Sequence, residues 1–429
     1  MKRLITIILC MILTISCTGC SGSQTQSGSS AASGNTSVAN SGSPQSGTNV
    51  DSTSSGAVMN PTAEGFVYVP KYMSANLDSV SNAYNYHTAS FLGDSMYFSA
   101  VSFDMESPIS SAGYQIKKMD LNTGETTLIG EPVYNGRSVQ MLAVSDSGSI
   151  VLMTDFNGNA SNLTVLDADG NDITPSGLTL ALSTLTKSWS SLYMKDLEVD
   201  NDGNMYVLTS GAAQMVIVLS PEGNLLCQIN IRDICKSLCR STDGRVFLLS
   251  FAGGGGTAQS GKLQHIDLEN RQPGESYEGI PGGYGSTTCA AGGENEILTN
   301  VVLDLYSYDL EDRTCEKLLN WIDCDVECYY PDGFGRTEDG RISVLNFTID
   351  VEPEVILLTK IPASEVPQKT TLVYAVLQLD METKKDIVAF NKSNSQYRIT
   401  VKEYGNGDVE TGRIELNNPS TARFRTGHF

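Results

Sequence analysis

Histidine is nearly missing from this chain: there are three in 429 residues, His87, His265 and His428. None has a second histidine at metal-ligand spacing, so each reads as an ordinary surface or core side chain rather than a general base. The Gly-x-Ser-x-Gly elbow and the His-Glu-x-x-His zinc motif are absent as well. Tryptophan is down to two, Trp189 and Trp321, too few for a surface that stacks on sugars or quinones. Positive charge is scarce: 28 Lys and Arg face 49 Asp and Glu, a formal net charge of −21. An acidic surface repels phosphate backbones and anionic lipid. No nucleic acid is expected as a partner, and any membrane contact must come from something other than a basic face. Long apolar runs are lacking too. Leu4 to Ile15 is almost wholly apolar, but about a dozen residues cannot cross a ~30 Å hydrocarbon core as a helix.

That run follows Lys2 and Arg3, the layout of a secretory signal. Cys17-Thr18-Gly19-Cys20 then leads into Ser21-Gly22-Ser23. The segment resembles a bacterial lipoprotein signal, in which a small residue precedes the cysteine that is lipidated. The resemblance implies residues 1–20 as signal peptide, lipid on Cys20, and attachment to the extracytoplasmic face of the cell membrane. Position 17 departs from the family's usual aliphatic residue, and Cys17 is the alternative acceptor. Residues 21–60 are Ser, Gly, Thr, Asn and Gln with scarcely an apolar side chain. Such a tether cannot bury enough surface to fold, and as a coil of ~40 residues it reaches roughly 35 Å.

Beyond the leader's Cys10, Cys17 and Cys20 lie seven cysteines: Cys227, Cys235, Cys239, Cys289, Cys315, Cys324 and Cys328. An odd number cannot all pair within one chain. Buried free thiols are the leading expectation and disulfides the alternative. A zinc site from the pairs Cys235/Cys239 and Cys324/Cys328 is opposed by loose spacing and the lack of a nearby histidine.

Residues 61–366 carry a repeat of short strands separated by polar turns. The clearest copy is Val199-Asp200-Asn201-Asp202-Gly203-Asn204-Met205-Tyr206-Val207-Leu208, followed by Val216 to Asn224. Others begin at Val144, Arg240 and Thr337, with weaker copies at Phe91 to Phe98 and Gly292 to Leu298. The copies recur at about 40 to 55 residues, with Asp-Gly and Gly-Asn pairs suited to tight hairpins. Strands alone at this period predict an all-β fold, a β-propeller of four-stranded blades. Six blades is the count, seven the other arrangement, and a pair of β-sandwiches the structural alternative. Phe66-Val67-Tyr68-Val69 is placed to complete the last blade and close the ring. The pattern resembles diverged propellers of the YVTN/quinoprotein-like kind.

Residues 367–429 have another texture. Thr371 to Leu377 is a continuous apolar run, as in a strand buried on both faces. Met381 to Asn394 has an amphipathic helix pattern, and Tyr397 to Val401 is a second strand, which makes a βαβ unit. With the helix end Phe390-Asn391-Lys392-Ser393-Asn394, this stretch resembles the start of the family 1 extracellular solute-binding proteins of ABC transporters. The resemblance covers about 35 to 45 residues and implies an incomplete α/β solute-binding domain. The tail Pro419 to Phe429, with Arg423, Arg425 and His428, has no strand or helix pattern. A two-strand fragment cannot bury its own faces. A truncation or frame shift after about Gly412 is therefore expected.

Two chemical look-alikes dissolve on inspection. Gly256 to Lys262 has P-loop spacing, but Leu263 stands where Ser or Thr would hold magnesium, and a strand follows instead of a helix. Asp167 to Asp172 and Asp200 to Asn204 resemble calcium loops but lack the sixth-position Gly and the closing Glu. No catalytic, cofactor or metal residues are assigned. The expected function is a non-catalytic, lipid-anchored binding protein of ABC-type solute uptake, with carbohydrate as the solute class. Its partners would be the membrane through the lipid, a transporter permease, and an envelope protein or small solute. The alternative is a propeller scaffold for protein or envelope contacts. A propeller enzyme is a third reading, favoured by convergent charges in the central channel and opposed by an apolar mouth.

Overall fold

Six antiparallel sheets account for nearly all of the regular structure. The computed structural model describes residues 65–74, 89–102, 113–134, 139–154, 162–178, 192–211, 214–251, 260–281, 287–327, 331, 333–346, 354–377 and 379–403. The leader with Cys10, Cys17 and Cys20, the tether, His87, Trp189, Cys328, the tail with His428, and residues 256–259 of the P-loop look-alike lie outside them.

The first blade is β2 (Ala89–Leu92), β3 (Ser95–Ser102), β4 (Gly113–Asp120) and β5 (Thr126–Tyr134). The second is β6 (Val139–Val144), β7 (Ile150–Thr154) and β8 (Asn162–Leu166), and the third is β9 (Leu192–Val199), β10 (Met205–Gly211), β11 (Met215–Leu219) and β12 (Leu225–Asn230). The fourth is β13 (Ile234–Arg240), β14 (Val246–Phe251), β15 (Gly261–Asp267) and β16 (Gln272–Ile280). The fifth is β17 (Thr287–Ala291), β18 (Glu296–Val301), β19 (Asp304–Asp309) and β20 (Thr314–Asn320). The sixth is β21 (Gly333–Arg336), β22 (Ile342–Asn346) and β23 (Glu354–Pro362), completed by β1 (Phe66–Ser74).

That last pairing closes the ring. β1 runs antiparallel to β23 from Phe66↔Pro362 to Ser74↔Glu354, so the outer strand of blade 6 comes from the start of the described chain. Innermost strands β2, β6, β9, β13, β17 and β21 each touch the next around the circle, and β21 returns to β2. The protein is a six-bladed β-propeller. Blade 2 departs from the expected four strands. Among the described residues its outer position holds a single bridge, Leu166 to Asp172, where Thr174 Oγ1 caps the Val165 N–H at 2.8 Å.

The core is divided among six seams between blades instead of gathered at one centre. Each seam has its own buried cluster, such as Met141, Val151, Val207 and Ile217 between blades 2 and 3. The second strand of a blade serves two seams at once. Met205 and Val207 face blade 2, while Tyr206 and Leu208 face blade 4. Ile150–Met153, Met205–Leu208 and Val246–Leu249 are therefore apolar without alternation, as strands buried on both faces must be.

The turns between first and second strands are built by side chains. Asp200 Oδ1 accepts the N–H groups of Asp202 (3.0 Å) and Asn204 (2.8 Å), and Oδ2 accepts Asn204 Nδ2 and the Tyr206 hydroxyl, both at 2.9 Å. In the turn after β8, the third strand of blade 2, Asp167 does the same for Asp169 and Asn171. Gly203 sits at φ 81° and Gly170 at φ 87°, backbone that other residues reach only with strain. In both calcium look-alikes the first carboxylate is thus occupied by donors of its own turn.

After the propeller, β24 (Thr370–Val376), α1 (Met381–Ser393) and β25 (Tyr397–Glu403) form a βαβ unit with parallel strands. Asp380 caps α1 by accepting the Thr383 N–H at 2.8 Å. Asn391, wholly buried, exchanges two hydrogen bonds with the Ile399 backbone. The expectation that β24 is buried on both faces fails: Val373 and Tyr374 are each 42% exposed. Burial on both faces needs a layer on each side, and among the described residues α1 supplies one. Ile387 and Val388 of α1 pack with Leu303 and Ile322 of blade 5, so the unit rests on the propeller.

Candidate functional site

The six innermost strands enclose a central channel with a cavity of about 710 Å³. Its wall has small residues, including Ser90, Ala143, Ser237, Thr288 and Gly335, and two aromatic residues, Phe91 and Phe334. Phe91 is seated because its neighbours lack side chains. A Cβ on Gly335 would come within 2.9 Å of the Phe91 Cβ, and one on Gly333 within 3.0 Å of its ring.

Charge enters where innermost strands run into the turns. The lining includes Asp146, Asp196, Glu198, Glu294 and Glu338 against Arg240 and Arg336, five acids to two bases. Arg240, at the end of β13, reaches Asp146 of blade 2 (3.0 Å) and Asn201 of blade 3 (3.1 Å). Asp196 and Glu198 stand two apart on β9, which places both on one face of the strand. Asp196 accepts the backbone N–H of Leu238 on the next blade at 2.7 Å. Glu198 accepts its neighbour Val199's N–H at 3.0 Å. Burial pushes the Glu198 carboxyl up from 4.5 to about 7, with Arg240 opposing the rise and Asp196 adding to it. It is a channel carboxyl that holds its proton up to near neutrality.

The other arginine is engaged in full. Arg336 makes a two-pronged pair with Glu296 (2.6 and 2.7 Å) and donates to the Gly340 carbonyl at 2.9 Å. Burial works against the Glu296 charge. The Arg336 pair, Ser307 and the Gly293 N–H outweigh it and hold the carboxyl below its usual range.

Among the residues weighed from sequence, His265 is half-buried on β15 with its ring 5.8 Å from Phe247, and burial lowers its pKa. Trp321 is core. Lys262 of the P-loop look-alike lies on a strand and pairs with Asp233 at 2.8 Å. Six cysteines are described as thiols, and all but Cys315 are buried. Cys235 and Cys239 do not share a face. A bulge between Cys235 and Ser237 turns the strand, so Cys235 joins the blade 3/4 seam and Cys239 the blade 4/5 seam. Among the described residues no three His, Cys, Asp or Glu side chains gather as a metal site would need. No described helix is long and apolar enough to cross a membrane.

Sequence reading missed the channel residues Asp196, Glu198 and Arg240. A partial signal exists for the arginines: Arg240-Ser241-Thr242-Asp243-Gly244-Arg245 and Arg336-Thr337-Glu338-Asp339-Gly340-Arg341 share one pattern, with the first arginine placed at the channel in both.

Comparison with known proteins assigns no family to the chain. No family profile matches the chain, and no curated protein matches it. Among solved structures, the propeller domain of the Trilobed protease from Pyrococcus furiosus, described as having an open velcro topology, aligns at 10% identity. It covers 66% of this chain and 84% of that one with a TM-score of 0.39. A Bacteroides caccae protein of unknown function aligns at 14% identity over 58% of this chain and 86% of that one, TM-score 0.37. A puromycin-hydrolyzing peptidase from Mycobacterium tuberculosis aligns at 13% identity over 64% of this chain and 45% of that one, TM-score 0.38. None of these findings names an activity for this chain.

Proposed function

We propose that this chain is a lipid-anchored, extracytoplasmic binding protein of ABC-type solute uptake, and that its propeller channel holds the solute. The observation that carries the ligand site is the channel itself. A cavity of about 710 Å³ with two phenylalanines, two arginines and five acids in its lining has the size and mixed lining of a small-molecule pocket. The acid excess suits a polyhydroxylated or amine-bearing solute, whose O–H and N–H groups donate to carboxylates. The anchor is assigned to Cys20 on the leader's pattern, and the C-terminal βαβ unit to a solute-binding module.

Two measurements test this. Radiolabelled palmitate should enter the protein in cells and be lost in Cys20→Ser; label retained in Cys20→Ser but lost in Cys17→Ser would move the acceptor. A thermal-shift panel of neutral sugars, amino sugars and polyamines should give a saturable rise in Tm that weakens in Glu198→Gln. No saturable shift with any class would overturn the channel reading and leave the scaffold alternative.

Glu198 also sets a pH dependence. Its folded pKa of about 7 lies above the ordinary 4.5, so the folded protein keeps a proton that the unfolded chain releases. Stability present below 4.5 is lost as pH rises toward 7, then levels off. Glu198→Gln should flatten that fall. A denaturant series across this window checks it, and an unchanged slope would refute the assignment.

A second reading has a specific observation behind it. Convergent charges and a carboxyl that titrates near 7 meet the condition set above for a catalytic propeller. Turnover of a panel solute that disappears in Glu198→Gln with binding intact would favour it.

A further inference from the structure

We propose that Thr288 and Asn300 form an oxygen-binding subsite in the channel wall between blades 5 and 6, and that the solute it takes carries hydroxyl groups. This subsite rests on the channel-solute reading and narrows the class of solute. Among the described residues, ten buried side-chain nitrogen and oxygen atoms have no hydrogen-bond partner. Four of them, on Thr287, Thr288, Thr299 and Asn300, share one patch of blade 5. The register of β17 and β18 brings them together. Thr288 lies directly opposite Asn300, and the flanking pairs are Thr287 with Val301 and Cys289 with Thr299. Side chains alternate along a strand, so the patch has two sides. Thr287 and Thr299 face blade 4 with Cys289 and Ile297. Thr288 and Asn300 face blade 6 with Ala290 and Leu298, in the cluster that holds Phe334 of that blade. Thr288 lines the channel cavity beside Ala290 and Phe334, and Asn300 is wholly buried one strand behind it.

Trp321 fixes the chemistry of the subsite. Its indole N–H donates to Asn300 Oδ1 at 2.7 Å. An indole nitrogen only donates, so the oxygen of the amide must face Trp321 and Nδ2 must face away. Nδ2 then keeps two N–H donors without an acceptor where no surface is exposed. A buried donor without a partner costs stability, so packing alone does not account for an asparagine here. The Thr288 hydroxyl across the ladder both donates and accepts. A solute oxygen entering from the channel beside Thr288 accepts from both groups. Glu294 and Glu338 are exposed in the same cavity lining and accept O–H protons. A sugar or other polyol answers both demands, because each of its hydroxyls donates and accepts. A protonated polyamine brings donors alone and leaves Nδ2 unpaired.

The test titrates the full chain calorimetrically with a panel of neutral pentoses and hexoses, glucosamine and spermidine, and records the unliganded Tm of each variant. Thr288→Val keeps the side chain's shape and removes its hydroxyl. The expected result is that a sugar binds more tightly than spermidine. Thr288→Val should raise that sugar's Kd roughly tenfold, and Thr288→Ser should restore it. The unliganded Tm of Thr288→Val should equal or exceed that of the unaltered chain, because the hydroxyl it removes had no partner. Asn300→Asp keeps an oxygen for Trp321 and removes the donors, so it should weaken the same sugar; the Thr288 variants carry the test if it fails to fold. A sugar that binds the unaltered chain and Thr288→Val equally would overturn the subsite and leave the channel reading standing. Spermidine preferred over every sugar would overturn the solute class. A lower unliganded Tm in Thr288→Val would make the hydroxyl a structural group and overturn the subsite as well. Binding of neither sugar nor spermidine would overturn the subsite and the channel reading together.

Discussion

Arg398→Ala is expected to cost about 3–5 kcal/mol and to loosen the βαβ unit from the propeller. Arg398 and Asp325 form an ion pair at 2.8 Å with side chains 3% and 9% exposed. Arg398 also donates to the Asp323 carbonyl. Asp325 is held at φ 59° just after the 3-10 turn Ile322–Cys324, and its carbonyl accepts the Tyr72 hydroxyl at 2.9 Å. Three separate parts of the chain therefore meet at one buried charge pair. Removing the arginine leaves the Asp325 carboxylate buried without its cation, which is worse than removing both partners. The double variant Arg398→Ala/Asp325→Ala should recover part of the loss in a double-mutant cycle. Denaturant unfolding together with limited proteolysis reads both effects. Costs that simply add, with proteolysis of residues 370–403 unchanged, would show that the pair does not hold the unit in place.

Trp321→Ala should be about as damaging, at about 3–5 kcal/mol. Trp321 is fully buried in the blade 5/6 seam with Tyr68, Leu298 and Phe334. Its indole N–H donates to Asn300 Oδ1 at 2.7 Å, and its carbonyl accepts the N–H groups of Cys324 and Val326. Truncation opens a cavity at the seam next to the ring closure and strips Asn300, whose Nδ2 already has no protein partner. Trp321→Phe keeps most of the volume and should cost less. Equal losses in the two variants would assign the effect to the hydrogen bond instead of the packing.

Several features could be read from the chain alone because their causes are local. Asp200 and Gly203 specify a turn within a few residues, through side-chain acceptors and a left-handed glycine, so the repeat and its period were visible. The unbroken apolar stretches of β7, β10 and β14 could be seen as strands, and the structure adds why they do not alternate: each is a wedge between two seams. The Phe66 to Val69 strand, read as completing the last blade, pairs with β23 as the outer strand of blade 6.

Other features depended on residues far apart in sequence. Asp146, Glu198 and Arg240 lie on three different blades, and no spacing in the chain marks them as neighbours. Cys235 and Cys239 are four apart, a spacing that puts both on one face of a regular strand, and a single bulge moved the two thiols into different seams. The apolar texture of β24 indicated burial on both faces, but burial is a property of the layers around a strand, not of the strand. Local turn chemistry and strand patterning determined the blades and their number. Only the closure of the ring decided which side chains share the channel, because each blade contributes one wall strand and the site exists where the six walls meet.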